Sequence, residues 1–171
     1  VGILFLGGSV RHFRSDFSRI AVPSVAVTGD ASTLGFANLS SVSIDDREAA
    51  PCAVDYLLER GHRHIAVIGG DRSISDISRL RYQGCLDAFS RRGLPYDADR
   101  CYYASRFSYR GGYYSMEEIL NRQPEVTAVF AMSDVMAIGA VRAMGDRGVR
   151  VPDDISVVGF DGLSIGKYYS P

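Results

Sequence analysis

The sequence predicts an α/β fold with doubly wound parallel sheets, and three observations lead to this prediction. Short apolar runs rich in valine and isoleucine are typical of strands buried on both faces of a parallel sheet. Segments with apolar residues at spacings of three and four lie between several of these runs. Strands that alternate with helices of 10–15 residues imply right-handed crossovers, and such crossovers produce a parallel sheet.

Five apolar runs predict strands, at residues 1–6, 24–27, 65–69, 128–132 and 155–160. A weaker sixth strand is predicted at residues 101–104. Four helices are predicted between them, at residues 49–60, 76–92, 109–120 and 133–147. Glycine supplies the stop after three of the helices, at Gly61, Gly93 and Gly148.

Two of these helices carry a residue that does not fit the apolar stripe. Arg81 places a cation on the otherwise apolar face of the second helix. Ile138 lies outside the stripe of the fourth helix, next to Val141 and Arg142 on neighbouring outer positions. An outer apolar cluster with an arginine suggests a subunit interface.

The polar segment 29–41 divides the sequence, because it is longer than the usual loop between packed elements. The complete series of helices and strands begins only after Asp45-Asp46. We therefore expect residues 1–45 to form part of one subdomain and residues 46–161 to form a second. Since the chain opens on a predicted core strand and ends at a proline, we expect it to be a fragment of a longer protein.

The composition of the chain disfavours several classes of function. The 171 residues are 46% hydrophobic and carry a net charge of −1, which is typical of an ordinary globular protein without a basic stripe for nucleic acid. The cysteines Cys52, Cys85 and Cys101 are odd in number and widely spaced, which indicates reduced thiols in a cytoplasmic protein. No apolar stretch approaches the roughly 20 residues that cross a bilayer.

Polar residues follow the predicted strands at their carboxyl ends, among them Thr28, Ser133 and Asp161. Carboxyl ends of parallel strands share one edge of a sheet, where ligands of open α/β folds bind. Arg81 reaches the same edge from its helix. A guanidinium fork beside a carboxylate suits vicinal hydroxyls, as in sugars, and Phe107 supplies an apolar wall.

Other interpretations of these residues are open. Arg81 and Asp161 form, in one alternative, a buried structural salt bridge. Ser133 and Asp134 are both good N-caps for the fourth helix, and for Asp134 we favour the cap. His62 and His64 have no evident third ligand nearby, so we expect turn packing and no metal site. No phosphate loop, nucleophile elbow or base–nucleophile arrangement indicates an enzyme or a cofactor.

Six motifs resemble those of the effector-binding core of lac-repressor-type (LacI/GalR) bacterial transcriptional regulators. They are residues 22–25 (VPSV), Asp45-Asp46, residues 56–70 (YLLERGHRHIAVIGG), 79–84 (RLRYQG), 133–139 (SDVMAIG) and 151–161 (VPDDISVVGFD). The resemblance spans nearly the whole chain. It implies a periplasmic-binding-protein-like fold, with an incomplete N-terminal subdomain at residues 1–45, a C-terminal subdomain at 46–161 and a crossover segment at 162–171.

The resemblance also implies roles for particular residues. Arg81 and Asp161 match the family's hydroxyl-binding pair, Phe107 its aromatic wall and Thr28 a polar contact from the other subdomain. Ser133 stands where an asparagine is frequent. Residues that match the family's dimer interface are Ile138, Arg142 and Tyr169.

The function implied is that of a cytoplasmic, homodimeric regulator whose small effector, a sugar or sugar derivative, alters its affinity for operator DNA. The DNA would be bound by an N-terminal helix-turn-helix head that this chain does not contain. Two alternatives are a periplasmic sugar-binding protein of a transporter and a sugar-modifying enzyme. The departures at Thr28, Ser133 and Gly162 leave the identity of the effector open.

Overall fold

Two parallel sheets form the framework of the computed structural model, which describes residues 1–10 and 13–169. The first sheet has the order β1-β2-β3 and the second the order β5-β4-β6-β7. The strands are β1 (Ile3–Leu6), β2 (Ser24–Val27), β3 (Leu39–Val42), β4 (Ile65–Gly69), β5 (Tyr102–Ala104), β6 (Ala128–Ala131) and β7 (Ser156–Val158). The predicted α/β fold of parallel sheets is therefore confirmed.

Six α-helices in the described part of the chain connect these strands. They are α1 (Phe13–Asp16), α2 (Asp46–Glu59), α3 (Asp76–Arg91), α4 (Ala98–Cys101), α5 (Tyr109–Arg122) and α6 (Asp134–Asp146). Short 3-10 helices occupy Phe17–Arg19, Ser32–Leu34 and Ser164–Lys167. No helix in the described part of the chain has the length and apolar content that crossing a bilayer requires.

The second sheet is covered on both faces, and its strands divide their side chains between two cores. Ile65 and Val67 of β4 pack with α2 and α3, whereas Ala66 and Ile68 pack with α5 and α6. All five residues of β4 are buried. Burial on both faces explains why this strand reads as an unbroken apolar run rather than as an alternating pattern.

Several predicted boundaries agree with the structure, and one strand was missed. The strands predicted at 24–27 and 65–69 have the expected bounds. No strand was predicted in or after the polar segment 29–41, whereas β3 begins at Leu39 and pairs with β2. β3 is an edge strand, and its sequence, LSSV, alternates half-buried and exposed residues. It therefore lacks the continuous apolar run of a central strand.

The crossover between the sheets runs from β3 directly into α2. This helix begins at Asp46, three residues earlier than predicted, because the side chain of Asp45 accepts hydrogen bonds from the amides of Arg47 and Glu48. The predicted crossover segment 162–171 contains the last 3-10 helix, and its final two residues lie outside the described part of the chain.

Candidate functional site

A cavity of 520 Å³ lies where the carboxyl ends of the two sheets face each other. The residues predicted to bind an effector all line it: Thr28, Arg81, Phe107, Ser133 and Asp161. Thr28 follows β2 of the first sheet, and the other four belong to loops and helices of the second. The structure therefore brings together side chains that lie up to 133 positions apart in the sequence.

Arg81 is the most constrained of these residues. Its side chain is buried, and its Nε donates a hydrogen bond of 2.7 Å to Oδ1 of Asp46. Its Nη1 donates to the carbonyl oxygen of Met132. The guanidinium carbon lies 3.7 Å from the centroid of the Phe160 ring, within the range of a cation–π interaction. These contacts leave the Nη2 end of the fork directed to the cavity side, where Asp161 lies.

The Arg81–Asp161 contact is looser than a hydrogen bond, because Nη2 and Oδ1 are 3.7 Å apart. The close ionic partner of Arg81 is Asp46 instead, so the arrangement differs from the closed salt bridge considered as an alternative. A ligand hydroxyl that lies between the guanidinium and the Asp161 carboxylate would accept from the first and donate to the second.

Asp46 was missed as a site residue. Two adjacent acids stand at the start of α2: Asp45 caps the helix, and Asp46 is its first residue and is 4% exposed. Charged side chains are rarely buried without a partner, so a second acid beside a capping acid is a signal that an internal cation is near. This signal was present in the sequence.

Asp161 and Thr28 share an unusual backbone conformation. Their φ angles are +104° and +76°, in a region that L-residues other than glycine seldom adopt. Burial raises the pKa of the Asp161 carboxyl above its ordinary value, and the guanidinium of Arg81 opposes that shift. The carboxylate is therefore incompletely solvated, and a hydroxyl donor from a ligand would replace part of the missing water.

Ser133 caps α6, so the prediction that Asp134 is the cap is wrong. The Ser133 Oγ accepts a hydrogen bond of 3.4 Å from the amide of Met136, and Asp134 is the first helical residue. The Asp134 carboxylate instead accepts from the amide of Leu163 at 2.5 Å, which holds the loop after Asp161 against α6. Ser133 also lines the cavity.

Phe107 forms one wall of the cavity and is 40% exposed. Its ring lies against the backbone of Gly70, the first residue after β4. A Cβ atom on Gly70 would come within 2.7 Å of the ring carbon Cε2. Glycine at this position therefore permits the ring to approach the strand end, where an aromatic face can pack on a sugar ring.

The residues predicted for a dimer interface gather elsewhere. Ile138, Arg142 and Tyr169 line a separate pocket of 440 Å³ between α5 and α6. The Tyr169 hydroxyl donates to the carbonyl oxygen of Ile138 at 3.4 Å, and Arg142 pairs with Asp146 at 2.8 Å. This pocket is open to solvent and is bordered by the exposed rings of Tyr109 and Tyr114.

The described residues contain no group of three or more histidine, cysteine, aspartate or glutamate side chains that could hold a metal ion. The Nδ1 atom of His62 lies 3.0 Å from Oγ1 of Thr127, which ties the turn before β4 to the segment before β6. This contact agrees with the expectation that His62 packs in a turn.

Comparison with known proteins gives one family model and several relatives. Residues 54–171 match the periplasmic binding protein-like domain. The HTH-type transcriptional regulator MalR of Clostridium butyricum is 35% identical over 99% of this chain and 51% of its own length.

Two solved structures share the fold over 98% of the chain. A LacI-family sugar-binding transcriptional regulator from Escherichia coli, complexed with phosphate, has a TM-score of 0.81 at 28% identity, with 59% of that chain covered. A complex of the transcriptional regulator CelR with cellobiose has a TM-score of 0.83 at 33% identity, with 50% covered. The chain thus spans about half the length of these relatives.

Proposed function

Because this chain belongs to the periplasmic-binding-protein-like domain family, among the LacI-type transcriptional regulators, we propose that it is the effector-sensing core of a bacterial DNA-binding regulator. The observation that carries the proposal is the convergence of Arg81, Asp161, Phe107, Ser133 and Thr28 on one cavity. Operator DNA is bound, in this proposal, by a helix-turn-helix head outside residues 1–171.

The effector is a small hydroxyl-bearing molecule, of the sugar or sugar-derivative class. Arg81 donates to a ring oxygen or hydroxyl, Asp161 accepts from a neighbouring hydroxyl, and Phe107 packs on the apolar face of the ring. Asp46 fixes the orientation of the guanidinium, so little side-chain freedom is lost when the ligand binds. The chain binds this molecule and does not transform it.

Binding is coupled to DNA through closure of the two sheets. Thr28 lies on the first sheet and Arg81 and Asp161 on the second, so a ligand that contacts all three favours one relative arrangement of residues 1–45 and 46–161. A ligand shifts such an equilibrium by its difference in affinity for the two arrangements. In this proposal the predicted crossover segment, which contacts α6 through Leu163 and Tyr169, transmits this change.

The regulator is cytoplasmic and acts as a homodimer. Ile138, Arg142 and Tyr169 contribute to the contact between subunits, and the exposed aromatic rings beside them add apolar area. The alternative of a transporter's sugar-binding protein is not favoured, since the matched relatives carry the names of transcriptional regulators.

Calorimetric titration of a sugar panel into the intact protein tests this proposal. The variants Arg81→Ala and Asp161→Asn are each expected to lower the affinity for the bound sugar by about tenfold or more, because a hydrogen bond to a charged group is lost. Arg91→Ala is the matched control, since Arg91 is an exposed arginine of the same helix that pairs with Asp55. Unchanged affinity in Asp161→Asn, which keeps the shape of the side chain, contradicts the proposed clamp.

A further inference from the structure

Another cavity, the basal cavity, lies at the opposite end of the second sheet from the effector cavity. It has a volume of 540 Å³ and is lined by Ile65, the first residue of β4. The carboxyl end of the same strand, where the effector cavity lies, is roughly 13 Å further along, from the rise per residue of a strand. The two cavities share no lining residue. The volume of the basal cavity is within the range of small-molecule sites.

One wall of the basal cavity is apolar and partly aromatic. Phe89 and Tyr96 both line it, and their rings pack against each other with centroids 4.7 Å apart. Leu94 and Pro95 extend this wall along the segment that follows α3. Leu94 and Tyr96 are half-buried and Pro95 is exposed, so apolar area on this wall is still in contact with water. A planar ring that packs on it would remove that area from water.

A buried amide with an unused acceptor borders the same cavity. Gln123 lines the cavity and is 2% exposed. Its Nε2 donates to the carbonyl oxygen of Arg100 and, at 2.8 Å, to the hydroxyl of Tyr103, which uses both amide hydrogens. No donor from the described part of the chain reaches its Oε1. Buried polar atoms are normally hydrogen-bonded, so this oxygen calls for a donor from a ligand or from water.

The rim of the basal cavity carries a cation without an acidic partner. Arg63 donates from Nη1 to two backbone carbonyl oxygens and forms no ion pair with the residues that the structure describes. The two acids of the lining are already engaged, Glu125 by Arg100 and Asp97 by backbone amides at the start of α4. The exposed imidazole of His64 lies beside Arg63 in the sequence and also lines the cavity. An acidic group on a ligand would give Arg63 an ionic partner.

We propose that the basal cavity is a second ligand site, which binds a heteroaromatic acid: a planar ring that bears an N–H group and a carboxylate or phosphate. The ring lies against Leu94 and Tyr96, its N–H group donates to Oε1 of Gln123, and its acidic group binds Arg63. Indole carboxylates and purine mononucleotides share this chemistry. The inference does not depend on the identity of the effector, because the two sites have no residue in common.

Matched ligands test the inference on the unaltered protein. Indole-3-acetate and, in a separate arm, AMP are titrated into the intact protein by calorimetry, and at least one of the two is expected to bind. The methylated analogues 1-methylindole-3-acetate and N6,N6-dimethyl-AMP lack the N–H donor and are expected to bind about tenfold more weakly, because they leave a buried acceptor unpaired. The uncharged analogues indole-3-acetamide and adenosine are expected to lose affinity by about the same factor, since they lack the partner of Arg63.

Substitutions then locate the bound molecule. Arg63→Ala is expected to weaken binding about tenfold. Arg60→Ala is the matched control, because Arg60 is an exposed arginine of the same turn that contacts Tyr56 and does not line the basal cavity. Arg81→Ala is expected to leave the affinity unchanged.

The inference is overturned if neither acid binds, or if the methylated analogue of the acid that binds has the same affinity. Unchanged affinity in Arg63→Ala overturns it as well. Loss of binding in Arg81→Ala places the molecule in the effector cavity, which overturns the second site and leaves the proposed function standing. The comparison of ligands uses no substitution, so it decides the matter even where Arg63→Ala does not fold.

Discussion

Removing the carboxylate of Asp46 is expected to destabilise the fold by about 3–5 kcal/mol, because it leaves the Arg81 guanidinium buried without its ionic partner. The two side chains are only 5% and 8% exposed, and their Nε–Oδ1 distance is 2.7 Å. Water therefore solvates the unpaired guanidinium only poorly. Oδ1 of Asp161 lies 3.7 Å from Nη2 of Arg81, too far to replace the hydrogen bond that Asp46 accepts.

Urea unfolding of Asp46→Ala, followed by circular dichroism, measures this loss. Asp45→Ala is the matched control, because Asp45 precedes it and caps the same helix from an exposed position; losing that cap costs about 1 kcal/mol. The double variant Asp46→Ala/Arg81→Met removes both charges and is expected to be more stable than Asp46→Ala alone. The reasoning is refuted if Asp46→Ala costs no more than Asp45→Ala, or if the double variant is no more stable than Asp46→Ala.

Three further predictions concern the cavity and the surface. Burial raises the pKa of Asp161 in the folded protein above its ordinary value of 3.8. As the pH rises above 3.8, wild type is therefore expected to lose stability relative to Asp161→Asn. The unfolding free energies of both proteins, measured over a pH series, test this, and the opposite trend contradicts it. Gly70→Ala is expected to displace both the Ser78 hydroxyl and the Phe107 ring and to weaken sugar binding several-fold by calorimetry, whereas Gly145→Ala, whose Cβ meets open space, should leave binding unchanged. Ile138→Glu is expected to weaken self-association in sedimentation velocity runs; a dimer as stable as that of wild type removes this face from the interface.

The central strands β4 and β6 were predictable because they are buried on both faces. β4 has no polar residue and no exposed position, so its sequence permits few other structures. β3 was not predictable in the same way. Its two serines and its exposed Val42 give it no periodic apolar signal, and it is a strand because β2 offers it hydrogen-bond partners.

The identity of the main cavity residues was predictable from the sequence, but their arrangement was not. Arg81 and Asp161 stand out because a cation on an apolar helix face and an acid after an apolar strand both need an explanation. Their relation to each other was not predictable, since it depends on Asp46, which enters the site from the crossover between the sheets. The choice between Ser133 and Asp134 as the cap of α6 likewise depends on a tertiary contact, the hydrogen bond from Leu163 that engages Asp134.

The backbone supports a functional role for this cavity by a route that does not depend on any resemblance. Among the described residues, every position with a positive φ is a glycine except Thr28 and Asp161. Glycine adopts this conformation without strain, whereas other residues lose of order 1–3 kcal/mol. Glycine would therefore stabilise both strand ends, as it does at Gly162 immediately after Asp161. What a threonine and an aspartate add at these two positions is a hydroxyl and a carboxylate, and both side chains face the same cavity. Strain that is retained only where a polar side chain enters the cleft is expected of a binding site and not of a structural turn.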